Sequence, residues 1–592
     1  MGPVGGMALP DQERVTPAIA EVGQARSGRA TRYTPEGPRE LTMASDILPS
    51  RYGFFIGCIV VTVVATERWL HTDLGWWFLL AAIAGSLSLV GVMDITQKRQ
   101  AIRRNYPVLA HIRFFLEFIR PEIRQYFLED DTTPVPFSRV QRTIVYQRAK
   151  NAVDKRPFGT QLDVYESRYE WINHSLVPAH IDGHDFRVQV GSGQCAKPYS
   201  ASVFNISAMS YGALSPNAIL ALNAGAKRGG FYHDTGEGSI SSFHREHGGD
   251  LVWEIGSGYF GCRNSDGSFS PERFAENASS DQVRMIEVKL SQGAKPGHGG
   301  VLPGSKVNAA IAEARGVAVG EDCISPATHS AFSTPFQLLE FVATLRDLSG
   351  GKPVGFKLSI GHPWEWFAII KAIMQSGIRP DFIVIDGGEG GTGAAPQEFT
   401  DHVGTPLRDS LVLAQNTLVA AGLRTEIRLA AAGKIITAFD IARACALGAD
   451  WCNAARGFMF ALGCLQAQTC HTGHCPTGVT TQDPKRYRAL DPGDKGTRVF
   501  NFHQNTLAAL NELLAAAGLT HSSELGPEHI IRRISATEVR SLSSLHLWLP
   551  PNILRDGGMP EHRVFKMYWD AASPETFGAP PGVVALRGTR LQ

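Results

Sequence analysis

Hydrophobic positions along this chain fall into three patterns, and each predicts a different kind of element. The first is continuous. Between Arg51 and Glu67 the chain reads YGFFIGCIVVTVVAT, and between Asp73 and Asp94 it reads LGWWFLLAAIAGSLSLVGVM, both without a charge. A helix crossing the hydrocarbon of a bilayer needs about 20 apolar residues. The second stretch meets that length. The first does so when Trp69 and Leu70 belong to it and Glu67 and Arg68 snorkel toward the headgroups. The pattern therefore predicts a transmembrane helical hairpin over residues 46–95; the competing reading is a pair of buried core helices. Trp69, Trp76 and Trp77 surround the connection ERWLHTD, where interfacial aromatics belong. Arg51 precedes the hairpin, and Lys98, Arg99, Arg103 and Arg104 follow it. The positive-inside rule then places both ends, and everything after residue 95, on the cytoplasmic side of a cell membrane crossed twice.

The second pattern is amphipathic. Over 96–200 the chain is a helical and irregular connector, in which NYPVLAHIRFFLEFIRPEIRQYFLED has aromatic and aliphatic residues at helical spacing and a break at Pro121. Its arginines read as a solvated or headgroup-facing side.

The third pattern alternates. Short apolar runs FNISAMS (204–210), MIEVKLS (285–291), PVGFKLS (353–359), DFIVIDGG (381–388), IRLAAAGK (427–434) and DWCNAAR (450–456) are separated by helical stretches such as WEWFAIIKAIMQSG and TAFDIARACALGA. Strands alternating with helices predict an α/β fold with a parallel sheet. Seven or eight such units between residues 201 and 540 predict a (β/α)8 TIM barrel rather than an open sheet. No GxGxxG opens a helix after the first strand, which argues against a nicotinamide-binding half. Residues 541–592 are expected to be a C-terminal tail. Residues 1–45, rich in Gly, Pro and Arg with no apolar period, are expected to be a disordered extension, with Met43 an alternative start.

Composition narrows the function. The 592 residues are 43% hydrophobic and 19% charged, which excludes wholesale disorder, and a net charge of +1 gives no electrostatic footprint for nucleic acid. Nine cysteines, an odd number thinly spread, argue against a disulfide framework and for a reducing compartment.

In a barrel, chemistry sits where strands end. Those junctions read SAMSYG (207–212), DTGEGS (234–239), KLSQGAKPGHGG (289–300), DGGEGGTGA (386–394), AAGK (431–434) and AARG (454–457). Glycines at consecutive strand ends, with lysines among them, point to a phosphate-bearing cofactor approached by backbone N–H groups. Cys464, Cys470 and Cys475 follow in CLQAQTCHTGHCPTG. The spacing C-x5-C-x4-C-P puts three thiolates on one loop, as three-iron clusters require. A Cys3His zinc site using His471 or His474 is the rival, and three unrelated thiols the bland alternative.

The ordered run SAMSYGALSPNA, HDTGEGS, EVKLSQGAKPGHGGVLPGSKV, ISPATH, VGFKLS, IDGGEGGTGAAP, AAGKI and CLQAQTCHTGHCPTGVTTQ resembles the FMN-binding synthase domain of glutamate synthases. The resemblance covers roughly residues 200–540, and the hairpin and connector are similar to the single-chain bacterial branch of FMN-binding glutamate synthase family proteins. It implies FMN, a [3Fe-4S] cluster, and reductive conversion of 2-oxoglutarate to L-glutamate through 2-iminoglutarate. Carried over onto matching positions, it implies that Ala208, Met209 and Ser210 border the flavin and that Lys357 sits at its N1–O2 edge. Gly388, Gly433, Ala455 and Arg456 would form the phosphate end. Lys289, Gln292 and Lys295 would hold the dicarboxylate, and Glu237 would be the acidic group near the imine carbon.

Two positions depart from the family pattern KPGEGGQLPG: His298 stands for the acid and Val301 for the glutamine, which costs one amide donor to the oxo-acid. No glutaminase or nicotinamide module is legible. Nitrogen is therefore expected from free ammonia, an amine or a separate ammonia-supplying protein, and electrons from an external donor of ferredoxin type. Two other readings stand beside the synthase: an N-methylglutamate synthase-type or other 2-oxo/2-amino acid flavin oxidoreductase, and an electron-transfer subunit without substrate chemistry.

Overall fold

The computed structural model describes residues 50–72, 74–97, 100–132, 136–191 and 193–581. The expectations for residues 1–45 and for Met43, and the charges Asp73, Lys98 and Arg99, lie outside the described residues. The chain divides into two compact units, meeting in sequence at Ile123 and Arg124.

The first unit is helical. Helices α1 (Gly53–Thr72) and α2 (Gly75–Thr96) are long and apolar enough to cross a membrane. They pack as an antiparallel pair: Phe55 lies over Gly91, Thr62 faces Gly85 and Ser88, and Trp69 meets Phe78 near the connection. Buried core helices would hide their aliphatic side chains, yet Val63 and Leu89 are both 64% exposed. After the short helix Ala101–Asn105 comes a longer one, α3 (Ala110–Ile123), which runs through Pro121 where the sequence pattern predicted a break.

The second unit is a closed barrel of eight parallel strands: β1 (Phe204–Ile206), β2 (His233–Asp234), β3 (Leu251–Ile255), β4 (Val283–Lys289), β5 (Val354–Leu358), β6 (Phe382–Asp386), β7 (Arg428–Ala432) and β8 (Trp451–Ala454). Each pairs with the next in sequence, and β8 closes on β1 through Cys452, Asn453 and Ala454 against Phe204, Asn205 and Ile206. Strands covered by helices outside and filled inside need no polar face, which is why runs such as FIVID are nearly continuous apolar sequence. The connecting helices begin and end where the chain says they should. Ser215 accepts from the Ala218 N–H before Pro216, and Gly230, at φ 64°, ends the same helix Pro216–Gly229. That helix packs on the long helix Pro492–Ala517, and Gly225 permits the contact, since a Cβ there would lie 2.4 Å from Val499.

Five of the eight strands lie within the runs read from sequence, and β4 overlaps its run but begins two residues earlier, at Val283. β2 is only two residues long, and β3 carries Glu254 in the middle of an apolar run, so neither stood out. Two flanking segments are more integrated than their composition suggested. Within the expected connector, helix Arg139–Ala149 belongs to the barrel unit, and Glu170–Ile172 pairs with Ile530–Arg533. Within the expected tail, Phe565 is fully buried against Phe367.

Candidate active site

A cavity of about 370 Å³ opens at the C-terminal ends of the barrel strands. Its floor is ionic. Lys357 of β5 forms an ion pair with Glu254 of β3 and a second, at 3.2 Å, with Glu287 of β4; all three side chains are at most 6% exposed. Asp234 of β2 completes a group in which one carboxylate oxygen from each of Asp234, Glu254 and Glu287 lies within 4.8 Å of the others. One ammonium among several buried acids fixes their charge states. Burial disfavours the Lys357 cation, but Glu254, Glu287 and Asp234 outweigh burial and hold it well above the ordinary lysine value. Burial, reinforced by the Glu254 charge, pushes Asp234 up to about 7, and burial with the Asp234 charge raises Glu287 well above the carboxylate range. The floor therefore holds protons as well as charges.

Above the floor stands a second charged group. Lys289, at the end of β4, pairs with Glu237 at 3.0 Å. Burial raises the Glu237 carboxyl, but Lys289, then Arg315 and Lys295, overcome it and hold it at about 2, so the group is ionised across the neutral range. Burial lowers Lys295, whose Nζ donates to the Gly299 carbonyl at 3.2 Å. Gly236, at φ 62°, makes the turn that presents Glu237; a Cβ there would lie 2.6 Å from the Ser210 nitrogen. Asp386, at the end of β6, accepts from the Gly293 N–H at 2.9 Å and ties the Gln292-bearing loop to the barrel.

Elsewhere the cavity wall is mostly backbone and small side chains. Ser207, Ala208, Met209 and Ser210 line it after β1, Gly433 and Lys434 after β7, and Ala455 and Arg456 after β8. Gly433 sits at φ 149° and Lys434 at φ 51°, so the chain turns sharply here. Arg456 donates to the Thr392 carbonyl at 2.8 Å, which fixes the glycine-rich loop after β6.

The cavity thus gathers Glu237, Lys289, Gln292, Lys295, Ala208, Met209, Ser210, Lys357, Gly433, Ala455 and Arg456. It does not gather Gly388, whose N–H donates to the Thr405 carbonyl and whose missing Cβ accommodates Gly404; Gly390 and Gly391 of the same loop line the cavity instead. Val301 lines the cavity, while His298 stacks edge-on against Phe399. Sequence reasoning missed Glu254, Glu287, Asp386 and Arg315. An acid in the middle of an apolar strand was the available signal for the first two. Arg315 sits on helix Ala309–Arg315, part of the insertion between β4 and β5, and only folding brings it to Glu237.

Cys464, Cys470 and Cys475 line a second, much smaller cavity beside the first. Cys470, Met459 and Thr480 belong to the lining of both. Thr480 is 6% exposed and stands between the two cavities, beside Cys475. The cysteine loop is braced from outside: Tyr146 donates to the Cys464 carbonyl at 2.6 Å, Gln125 to the Leu465 carbonyl at 2.6 Å, and Lys306 to the His471 carbonyl at 3.0 Å. Burial raises the Cys464 thiol. At Cys475 burial is overcome by hydrogen bonds with Thr477 and Thr480, which lower it.

The chain has relatives among known proteins. The family model for the conserved region in glutamate synthase matches residues 169–520. A glutamate synthase large subunit-like protein, YerD of Bacillus subtilis, is 37% identical over 514 residues, covering 79% of this chain and 97% of that protein. An archaeal glutamate synthase [NADPH] of Methanocaldococcus jannaschii is 37% identical over 321 residues, 54% of this chain and 60% of its own length. The chain therefore spans less than two thirds of the archaeal relative. Among solved structures, a flavocytochrome b2 variant with sulfite bound aligns over 76% of this chain and 90% of its own, with 12% identity and a TM-score of 0.39.

Proposed function

The chain belongs to the glutamate synthase family and is an oxidoreductase, and from that premise we propose that it binds FMN and a [3Fe-4S] cluster and reductively aminates 2-oxoglutarate to L-glutamate. The observation that carries this reading is the wall shared by the two cavities: Cys470, Met459 and Thr480 place the three-cysteine loop directly against the barrel mouth.

The residues present fit both groups. The barrel cavity is within the roughly 300–1,000 Å³ of cofactor pockets, with a backbone-lined side at Gly433, Ala455 and Arg456 for a phosphate and the Lys357 ammonium for the opposite edge of the flavin. The soft thiols of Cys464, Cys470 and Cys475 line one small cavity, a donor set suited to iron–sulfur ligation. Bound FMN would supply the hydride to the imine carbon, and the cluster would pass electrons from an external one-electron donor such as ferredoxin.

The chain's own residues do the rest. Lys289, Lys295 and Arg315 provide the cations that a dicarboxylate needs, with the Gln292 amide beside them. Glu237, ionised at neutral pH, is no proton donor. Its charge offsets the positive iminium formed from 2-oxoglutarate and ammonia, which is then reduced by two electrons with uptake of a proton. Lys357 would supply a fixed cation to the flavin, held in place by its ion pairs with Glu254 and Glu287. α1 and α2 anchor the enzyme in the membrane, with Arg51, Arg103 and Arg104 keeping both ends cytoplasmic. Val301 supports a second substrate reading, an N-alkylamine in place of ammonia, because it puts an apolar side chain on the cavity wall.

The test is turnover: anaerobically purified full-length protein, supplied with reduced ferredoxin, 2-oxoglutarate and ammonium, should form L-glutamate. Glutamate formation from ammonium establishes the synthase, and product only with methylamine establishes the second reading. No product with either, from protein loaded with flavin and iron, would refute both.

A further inference from the structure

α3 (Ala110–Ile123) presents an apolar stripe that no other described part of its own unit covers. Ile112, Phe115, Leu116, Ile119 and Ile123 follow the i, i+3, i+4, i+7, i+11 spacing of one helix face, while Arg113, Glu117 and Arg120 occupy another. Ile112, Phe115 and Leu116 are exposed, as is Phe118 on the flank, at 77%. The side turned toward the rest of this unit is different: Ala110 is buried, and the Arg103 guanidinium lies 4.9 Å from the Phe114 ring centre.

α3 is also fastened to α2. Asp94, near the end of α2 and only 3% exposed, accepts from the Val108 N–H at 3.0 Å and bonds His111 Nε2 at 2.9 Å. One buried carboxylate thus ties the entry turn of α3 to the end of a membrane-length helix and fixes the direction in which α3 leaves it. The stretch from Ala101 to Ile123 carries four arginines against two glutamates.

We propose that α3 lies in the plane of the membrane, with Ile112, Phe115, Leu116 and Ile119 sunk among the headgroups and upper acyl chains of anionic lipid. The inference rests on the reading that α1 and α2 span the bilayer. A helix with aromatic and aliphatic residues on one face, arginines on the other and a spanning helix fastened to its start has the features of interfacial helices. A soluble protein partner would match the exposed stripe equally well, but not the arginine excess or the anchoring to α2.

The test places an environment-sensitive fluorescent amino acid, by codon suppression, at one position at a time in the full chain, reconstituted in nanodiscs containing anionic phospholipid. Quenching by lipids brominated high or low on the acyl chain reports depth, and quenching by iodide reports water. At Phe115 and Ile112 the shallow brominated lipid should quench several-fold more than iodide; at Arg113 and Glu117 the order should reverse. Ile83, in the middle of α2, is the control and should be quenched by deep bromine. If Ile83 behaves so while Phe115 and Ile112 are as open to iodide as Glu117, the interfacial helix is refuted and the spanning hairpin stands. If Ile83 itself is quenched by iodide, the membrane reading fails first. Shielding of Phe115 from both quenchers would show that protein, such as a second copy of the chain, covers the stripe, and would also overturn the proposal.

Discussion

Replacing Lys357 with Met tests the ionic floor of the barrel, because it removes the cation and little volume. Lys357 meets Glu254 and Glu287, all three nearly inaccessible to water. Removing one partner of such a buried pair costs about 3–5 kcal/mol, most of it from the charge left unpaired. Here the loss depends on pH, and its sign is fixed. Without Lys357 the carboxyl groups of Asp234 and Glu287 face each other and Glu254 in a desolvated site with no cation among them, so the folded pKa values of Asp234 and Glu287 rise further above their unfolded values. A carboxyl raised in this way binds a proton more tightly when folded. Its destabilisation is therefore fully present above the raised folded pKa and disappears as pH falls toward the unfolded pKa near 4. For one such group the penalty should shrink by about 1.4 kcal/mol for each pH unit over that interval. Urea unfolding of detergent-solubilised wild type and Lys357→Met, followed by fluorescence at several pH values, measures the difference. The variant should be less stable by several kcal/mol near pH 8 and markedly closer to wild type near pH 6. Adding Glu254→Gln should restore part of the loss, giving a positive coupling between the two sites. A destabilisation that is the same at every pH, or a double variant no better than the sum of its parts, would refute the claim that Lys357 sets the charge of the floor.

Four further outcomes are expected. Glu237→Gln should reduce kcat/KM by roughly tenfold to a hundredfold, about 1.4–2.7 kcal/mol, and because Glu237 titrates near 2, wild-type activity should show no carboxylate limb from this residue between pH 5 and 8; a wild-type limb that vanishes in the variant would contradict its assignment. Replacing Cys464, Cys470 or Cys475 by Ser should lower iron and acid-labile sulfide together while flavin stays bound, whereas stoichiometric zinc without sulfide would overturn the cluster. Denatured purified protein should release FMN; release of FAD, or no flavin after reconstitution, would remove the flavin assignment. A reporter fused after Gln592 should act in the cytoplasm and one inserted between residues 67 and 73 should be exported, and the reverse pattern would invert the topology.

The sequence alone determined what depends on local order. Uninterrupted apolar stretches specify helices suited to lipid, alternating strand and helix signals specify a parallel barrel, and glycine-rich strand ends specify where backbone is bare. The three cysteines were legible because they share one short loop. Tertiary structure decided what depends on residues distant in sequence. Glu254 and Glu287 were not singled out from the sequence, because only the pairing of three adjacent parallel strands, β3, β4 and β5, brings these acids to Lys357 from far along the chain. Arg315 reaches Glu237 only because the insertion after β4 folds back over the mouth. The helix Arg139–Ala149 looked like connector because its composition is polar, yet Tyr146 braces the cysteine loop from across the chain. Local pattern records which face of an element is buried. What that face meets is set by the closure of the barrel and the packing around it, and that closure assembled the charged floor, the cation group above it and the wall shared with the cysteine loop.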